Sequence, residues 1–209
     1  MPNDSNSVFI VDDDYSVREA LSRLLDATGH HAVTFQCASE FLNSRCYLGP
    51  GCAVLDVRLP DADGIELYAE LHRSGMTMPV IFLTGFGDIS ASVRAIKSGA
   101  VDYLSKPVDD GAFIGAIDAA LAEEARLRQE RDELAGLRSC YERLTPRERD
   151  ILQLVLAGRL NKQIARELGI SEKTVKVHRG RVMAKMQARR VAQLVRSAVK
   201  IGVPIGMTR

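Results

Sequence analysis

The sequence predicts an α/β domain built on a parallel sheet, followed by an all-α domain. Three observations support this fold class. Short apolar runs alternate with amphipathic helical patterns through the first 121 residues, no strand pattern follows them, and a new helix-capping signal opens at Thr145. At 209 residues, the chain is long enough for two domains of ordinary size.

Five apolar or β-branched runs are predicted to be buried parallel strands. Helical patterns separate them; the first pattern ends at Gly29, and one that includes Val93 and Ile96 ends at Gly99. This alternation predicts a doubly wound five-stranded sheet of order 2-1-3-4-5 across residues 1–121. The predicted strands are residues 8–11, 32–35, 53–55, 80–83 and 101–104.

Residues 122–142 are predicted to be a helical linker, because charges are dense there and neither proline nor a strand pattern occurs. Leu127, Leu134 and Tyr141 recur every seven residues in this segment. The stripe is shorter than the roughly three or four heptads of a sustained coiled coil. Both a short self-association surface and a solvated helix are therefore open interpretations.

The second domain, residues 143–209, is predicted to contain four helices. Thr145, Pro146 and Glu148 have the spacing of a capping box with proline in the first turn. Further along, two helical patterns flank the tight turn at residues 168–171. This arrangement predicts a helix-turn-helix motif, whose second helix enters the major groove of DNA.

The charge distribution supports the same division. The formal net charge is +1, with 28 Lys and Arg against 27 Asp and Glu. Residues 1–121 carry 17 acidic and 8 basic side chains, residues 122–142 carry 6 and 4, and residues 143–209 carry 4 and 16. The near-neutral total therefore hides a strongly basic second domain, which favours nucleic acid as a partner.

The sequence excludes several classes of protein. No apolar run is long enough to span a membrane, and residues 1–7 lack the features of a signal peptide, so we expect a cytoplasmic protein with no membrane partner. The cysteines show none of the paired spacing of zinc sites or disulfide frameworks, and we expect reduced, mostly buried thiols. They are Cys37, Cys46, Cys52 and Cys140.

Polar side chains follow four of the predicted strands. They are Asp12, Asp13, Asp56, Thr84 and Lys106. The first and third strands are neighbours at the switch point of such a sheet, so the three carboxylates are expected in one cleft. They would repel one another unless a hard divalent cation lies among them, and Mg²⁺ is the expected ion. The Lys106-Pro107 peptide is expected to be rigid, with the cis form open, and to aim the ammonium into this cleft.

A carboxylate beside Mg²⁺, a lysine and a threonine hydroxyl is typical of phosphoryl transfer. Asp56 is predicted to be the nucleophile, while Lys106 and the metal neutralise the phosphoryl oxygens and Thr84 donates to one of them. The sequence has no Walker-type glycine-rich loop. The phosphoryl group is therefore expected to arrive already activated on another molecule.

The first domain resembles the receiver domain of two-component response regulators. With residues 145–186, the whole chain resembles the NarL/FixJ (LuxR-type) class, nearest the FixJ type because of Thr84-Gly85-Phe86-Gly87-Asp88. The motifs that carry the receiver resemblance are Val11-Asp12-Asp13, Leu55-Asp56 with Arg58-Leu59-Pro60, Asp63-Gly64, Thr84-Gly85 and Lys106-Pro107.

The resemblance implies that a sensor histidine kinase phosphorylates Asp56. It also implies that Thr84 and Tyr103 are the switch hydroxyl and the rotating aromatic; the alternative for Tyr103 is a strand residue that only packs. Asp14 is expected to cap the following helix. The implied magnesium ligands are Asp13, Asp56 and the carbonyl oxygen of Arg58, with Asp12 assisting through water.

The second helix of the helix-turn-helix motif has two distinct faces when residues are placed about 100° apart. Val175, Arg179, Val182 and Met186 share the face that is predicted to pack inward. The opposite face has small side chains at its centre and cations at its edges, which suits a DNA groove. The resemblance places Lys176 and Val177 on bases, Lys173, Thr174 and Arg181 near bases or phosphates, and Asn161 and Lys162 near the DNA backbone.

These observations predict a transcription regulator that forms a homodimer on promoter DNA when Asp56 is phosphorylated. RNA polymerase is left open as a further partner. One alternative is an enzyme that turns over a small substrate through Asp56, although the loops between strands and helices are short and leave little room for a substrate pocket. The other alternative binds DNA but responds to a small molecule or a protein rather than to phosphorylation.

Overall fold

A computed structural model describes residues 7–85 and 99–204 of the chain. The helix predicted around Val93 and Ile96 and the Phe86-Gly87-Asp88 segment lie outside the described residues. Within the described residues, no helix combines the length and the hydropathy that crossing a lipid bilayer requires.

The chain divides into two compact units, Met1–Arg128 and Gln129–Arg209, and the division falls inside the segment predicted to be a linker. In the first unit, strands and helices alternate through residues 7–84. The strands are β1 (Ser7–Val11), β2 (His31–Phe35), β3 (Gly51–Asp56), β4 (Val80–Thr84) and β5 (Asp102–Ser105). The helices are α1 (Tyr15–Ala27), α2 (Ala38–Ser44), α3 (Gly64–Arg73) and the first part of α4 (Asp110–Glu142), with a short 3₁₀ helix at Cys46–Leu48.

The five strands form one parallel sheet of order β2-β1-β3-β4-β5, which confirms the predicted topology. The three central strands are almost entirely buried, whereas β2 and β5 leave part of their side chains exposed. The prediction of five buried strands is therefore wrong for these two, because an edge strand has a neighbour on one side only. Val11 pairs with Leu55, so Asp12 and Asp56 follow at the same edge of the sheet.

Alternate side chains of the central strands enter two apolar layers on opposite faces of the sheet. Phe9 and Leu55 belong to the layer that includes α2 and α3, whereas Ile10 and Val54 belong to the layer that includes α1 and α4. Burying a Phe, Leu, Ile or Val side chain stabilises a fold by about 1.5–3 kcal/mol. Packing on both faces therefore fixes the strand ends that carry the polar residues.

The turn after β1 is closed by a helix cap. Asp14 accepts hydrogen bonds from the backbone nitrogens of Ser16 and Val17, at 2.8 and 3.4 Å, which confirms its predicted role at the start of α1. At the other end of the helix, Gly29 has a φ of +82°. Glycine adopts such positive φ values at little cost, so its presence ends α1 as the sequence predicts.

The described residues of the second unit form helices joined by short turns, which confirms the predicted four-helix domain. Its core is formed by buried residues such as Ile151, Ile164, Val175 and Leu194. Gly169, with a φ of +64°, makes the tight turn between the two helices of the predicted motif. After the end of α4, the helices are α5 (Pro146–Leu156), α6 (Asn161–Leu168), α7 (Glu172–Lys185) and α8 (Val191–Lys200).

The predicted capping box is present at the start of α5. Thr145 Oγ1 accepts a hydrogen bond from the nitrogen of Glu148 at 3.3 Å, and Glu148 Oε2 accepts one from the nitrogen of Thr145 at 2.9 Å. The buried Glu148 carboxylate also accepts a hydrogen bond from Lys185 Nζ at 2.6 Å. That lysine contact is the main reason why the pKa of Glu148 is lowered, and the Thr145 nitrogen adds to it. One carboxylate therefore joins the start of α5 to the end of α7.

Substituting Glu148→Gln is expected to destabilise the second unit by about 1–2 kcal/mol at neutral pH, because Lys185 loses a charged acceptor. The folded state favours the carboxylate, so this stabilisation is fully present above the ordinary pKa of 4.5 and is lost as the pH falls through the lower folded value. Hydrogen exchange of amides in residues 145–204, at about pH 7 and about pH 3.5, measures the difference between the two proteins.

Asp150→Asn on the same helix is the matched control, since Asp150 only faces Arg147 at 3.6 Å on the surface. Its cost is expected to stay below about 0.5 kcal/mol. Equal effects of the two substitutions, or a Glu148→Gln effect that does not shrink in acid, would contradict the assignment.

Two smaller expectations are corrected in part. None of the four cysteines forms a disulfide, but only Cys52 and Cys140 are buried, whereas Cys37 and Cys46 are partly exposed.

In the predicted stripe of Leu127, Leu134 and Tyr141, the Tyr141 ring packs against the core of the second unit, with the Arg149 guanidinium 5.2 Å from its centroid. This contact engages Tyr141 within its own unit, and the role of Leu127 and Leu134 stays open.

Candidate functional site

Three acidic side chains meet at the carboxyl edge of the sheet, as the sequence predicts. Asp12 and Asp13 follow β1, and Asp56 is the last residue of β3. One carboxylate oxygen from each lies within 4.8 Å of the other two. Asp12 and Asp56 are buried, at 0% and 6% exposure, whereas Asp13 is exposed. The cluster therefore has a buried floor and one side open to solvent.

Lys106, which follows β5, supplies the cation of this cluster. Its Nζ makes ion pairs with Oδ2 of Asp56 and, at 2.6 Å, with Oδ2 of Asp12. Burial alone would lower the pKa of Lys106, but the two carboxylates outweigh it and raise that pKa. Burial also raises the pKa of Asp12, and the charge of Asp56 adds to this effect although Lys106 opposes it. A single ammonium thus balances two buried carboxylates only in part.

Short backbone contacts hold the two buried acids in place. Asp56 Oδ1 accepts a hydrogen bond from the nitrogen of Arg58 at 2.9 Å, and Asp12 Oδ1 accepts one from the nitrogen of Asp14 at 3.0 Å. Arg18 on α1 donates from Nη1 to the main-chain oxygen of Asp12 at 2.6 Å. Each carboxylate is therefore fixed by its own loop before any ligand binds.

The donor set fits a hard divalent cation. Three carboxylates converge within a few ångströms, and Asp12 Oδ2 is buried with an ion pair but without a hydrogen bond from the described residues. Mg²⁺ prefers carboxylate and water oxygens, and the exposed side of the cluster next to Asp13 gives water access. The excess negative charge at this edge is the property that such an ion would neutralise.

Gly64 allows the helix that follows the acceptor strand to approach it closely. A Cβ atom at this position would lie 2.2 Å from the main-chain oxygen of Asp56. The nitrogen of Gly64 donates to the oxygen of Val57 at 2.9 Å, and Asp63 caps the helix by accepting from the nitrogens of Ile65 and Glu66. Helix α3 and the end of β3 are thus in direct backbone contact.

Thr84 and Tyr103 lie on the two strands where the sequence predicts them. Thr84 is the buried last residue of β4, and its hydroxyl donates to the oxygen of Gly85 at 3.2 Å. Tyr103 is half-buried on β5, where it is paired with Phe82 and packs against the first apolar layer. Among the predicted non-acidic residues, Lys106 contacts the carboxylates through its side chain and Arg58 contacts Asp56 through its backbone nitrogen.

In the second unit, α7 presents the two predicted faces. Val175, Val182 and Met186 are buried, and Arg179 is half-buried. The opposite face is exposed, including Val177 with 49% of its surface accessible. The exposed cations of this helix are Lys173, Lys176 and Arg181, and Lys162 is exposed at the start of α6. An apolar side chain flanked by cations is an arrangement that suits base edges between phosphate walls.

Two of the predicted DNA-binding residues are engaged within the protein. The hydroxyls of Thr174 and Ser171 lie 2.8 Å apart, and Ser171 Oγ accepts from the nitrogen of Thr174 at 3.1 Å as the cap of α7. Asn161, the first residue of α6, accepts a hydrogen bond at Oδ1 from Arg179 Nη1 at 2.8 Å. Thr174 therefore contributes to the helix cap, and Asn161 links the two helices of the motif.

Sequence reasoning missed three residues that shape these sites. Arg18 holds the oxygen of Asp12, and Arg179 holds Asn161. Asp61, in the loop after β3, accepts from the nitrogens at the start of α2, Ala38 and Ser39, at 3.0 and 2.9 Å. The signal for Arg179 was its charge on an otherwise apolar helix face; nothing in the spacing pointed to Arg18 or Asp61.

Two families match the chain, one in each unit. The family described as "Response regulator receiver domain" matches residues 8–118. The family described as "Bacterial regulatory proteins, luxR family" matches residues 142–198. The first match covers the acidic cluster and Lys106, and the second covers the helix-turn-helix motif.

Similar proteins cover almost the whole chain. Nodulation protein W of Bradyrhizobium diazoefficiens is 44% identical over 96% of this chain and 88% of its own length. Transcriptional regulatory protein FixJ of Azorhizobium caulinodans is 42% identical, with 96% and 95% covered. Among solved structures, response regulator StyR has a TM-score of 0.84 at 45% identity, with 94% of this chain and 99% of that chain covered. Full-length FixJ from B. japonicum has a TM-score of 0.58 at 37% identity, with 95% and 98% covered.

Proposed function

The chain belongs to the response regulators of two-component systems, in the NarL/FixJ group with a LuxR-type DNA-binding domain, and from that premise we propose that Asp56 is its phosphoacceptor. Proteins of this family are transcription factors, and this one is not an enzyme. The observation that carries the proposal is the pair of buried carboxylates, Asp12 and Asp56, that share the Lys106 ammonium at the carboxyl edge of the sheet.

The proposed reaction is transfer of a phosphoryl group from a phosphohistidine of a sensor kinase. A carboxylate oxygen of Asp56 forms the new O–P bond while the N–P bond to the histidine breaks, and the released imidazole nitrogen takes the bond's electron pair. Lys106 Nζ, already in contact with Asp56, is placed to neutralise the oxygens of the arriving group. The backbone hydrogen bond from Arg58 keeps the carboxylate oriented during transfer.

Asp13, Asp56 and the carbonyl oxygen of Arg58 are proposed to hold Mg²⁺, with Asp12 assisting through water. When bound, the ion supplies positive charge that offsets the carboxylates and the incoming phosphoryl oxygens. Asp13 is the exposed member of the cluster and is therefore the ligand through which an ion can enter. Burial raises the pKa of Asp12, so a second neighbouring cation besides Lys106 would favour its carboxylate form.

Thr84 and Tyr103 are proposed to transmit the phosphorylated state to the surface. The Thr84 hydroxyl, now donating to Gly85, would turn to a phosphoryl oxygen on Asp56. That movement would leave space for the half-buried Tyr103 ring to turn inward. The changed surface would pair two receiver domains into a homodimer, which places two DNA-binding domains over adjacent half-sites.

The partners follow from the two sites. A groove of about 280 Å³, lined largely by apolar residues of α1 and by Lys106-Pro107-Val108, lies next to the acceptor and offers a surface for the kinase domain that carries the phosphohistidine. The exposed face of α7 is proposed to bind promoter DNA, with Lys176 and Val177 on bases, and Lys173, Arg181, Asn161 and Lys162 near bases or phosphates. We therefore propose a cytoplasmic location, where the protein would meet both partners.

Salt-dependent selection of duplex DNA, with and without a small acyl phosphate and Mg²⁺, tests the proposal. Four exposed cations near the DNA face predict that the logarithm of affinity falls with the logarithm of salt concentration, with a slope of about −3 to −4 per domain. The phosphodonor is expected to raise affinity for the selected sequence. Sequence-specific binding that ignores the phosphodonor would instead support control by another ligand, and absence of specific binding would overturn the DNA assignment.

A further inference from the structure

Arg179 is a cation on the inward face of the recognition helix α7. It shares that face with the buried Val175 and Val182, and it is half-buried itself. Its Nη1 donates to Oδ1 of Asn161 at 2.8 Å, a contact between residues 18 positions apart in the chain. Within residues 7–85 and 99–204, no carboxylate lies within ion-pair distance of its guanidinium. Its partner is therefore a neutral amide, which is an unusual choice for a half-buried charge.

This hydrogen bond fixes the orientation of the Asn161 amide. A side-chain amide has an acceptor oxygen at one end and two N–H donors at the other, and the two ends have nearly the same shape. Because Arg179 has only donors, it selects the oxygen end. The NH₂ group of Asn161 is then the end that is free for another partner, at the first residue of α6, next to the exposed Lys162.

We propose that Arg179 is a positioning residue for DNA binding, which holds the Asn161 amide so that its NH₂ group donates to a phosphate of the DNA backbone. Without the guanidinium, the amide can turn over and present its oxygen, and two acceptors repel each other. Arg179 thereby couples the recognition helix to the phosphate contact of the preceding helix. The inference rests on the proposed contact between Asn161 and the DNA backbone.

The variant Arg179→Met tests this role, because methionine keeps a long apolar stem but has no donor for the Asn161 oxygen. With a duplex selected by the wild-type protein, we expect its affinity to fall about five- to tenfold with an unchanged salt slope. Asn161→Ala should fall by a similar factor, and the double variant should bind no more weakly than Asn161→Ala alone. Arg166→Met, at an exposed arginine on α6, is the matched control and should lose much less affinity than Arg179→Met.

Asn161→Asp provides a second measurement in a protein that keeps Arg179. It retains an acceptor for the guanidinium but replaces the NH₂ donor with a negative oxygen, so its affinity should fall further than that of Asn161→Ala. Circular dichroism and thermal unfolding establish that each variant is folded.

The outcomes separate the inference from the proposed function. Losses that multiply in the double variant would overturn the coupling, because Arg179 would then act independently of Asn161. Full affinity of Asn161→Ala would overturn the phosphate contact itself. The proposed DNA-binding function would still stand in that case, because the wild-type protein would still bind the same duplex. Weaker binding by Asn161→Asp than by Asn161→Ala would support the NH₂ donor, and the reverse order would contradict it.

Discussion

Asp56→Asn is expected to abolish the covalent gain of one phosphoryl group when the protein is incubated with Mg²⁺ and a small acyl phosphate. An amide nitrogen or oxygen is a far weaker nucleophile than a carboxylate, and removing a nucleophile eliminates a covalent step outright. The amide would also remove one negative charge from the cluster and the ion pair between Asp56 and Lys106. Intact-protein mass spectrometry measures the adduct directly.

Asp61→Asn is the matched control for this substitution. Asp61 is an exposed acid in the loop that follows β3, and asparagine can still accept a hydrogen bond at the start of α2. We expect this variant to be phosphorylated like the wild type. If Asp56→Asn gained the same adduct as the wild type, the acceptor would be another residue and the proposed site would be wrong.

Phosphorylation is expected to raise affinity for DNA with two half-sites by about 10²–10⁴-fold over affinity for one half-site. When two receivers pair, the second DNA-binding domain is held close to its half-site, so its binding becomes an intramolecular event. Half-site centres one helical turn apart suit a dimer of helix-turn-helix domains. Fluorescence anisotropy on the two duplexes gives the affinities, and sedimentation gives the mass of the phosphorylated protein.

The unphosphorylated protein and Asp56→Asn serve as controls, and both should bind the two duplexes without this difference. If phosphorylation raised affinity equally for one and for two half-sites, without a change in mass, the receiver would act by uncovering a single DNA-binding domain rather than by pairing.

The sequence predicted those features that depend on local pattern. The sheet order and the convergence of Asp12, Asp13 and Asp56 followed from strand-helix alternation and from the position of each acid at a strand end. The capping box at Thr145 and the two faces of α7 followed from spacing alone. These features need only a few consecutive residues to be specified.

The features that the sequence did not predict depend on which distant residues meet. No periodicity relates Arg18 to the oxygen of Asp12, or Arg179 to Asn161, because each contact is set by the packing of whole elements. The exposure of β2 and β5 was missed for a different reason: their apolar runs resemble those of the central strands, although the predicted strand order already places both at the edges of the sheet.

The close approach of Gly64 to the acceptor strand has a consequence for mutational tolerance. Even the single methyl group of alanine would collide with the main-chain oxygen of Asp56, so a side chain here must displace either α3 or the acceptor. Position 64 carries no reactive group, yet we expect substitutions of Gly64 to appear as defects in signalling. Position 61, three residues earlier in the same loop, is limited by hydrogen bonding instead, because its exposed carboxylate accepts from the nitrogens of Ala38 and Ser39. This short segment therefore combines a position closed by steric contact with one that tolerates another hydrogen-bond acceptor.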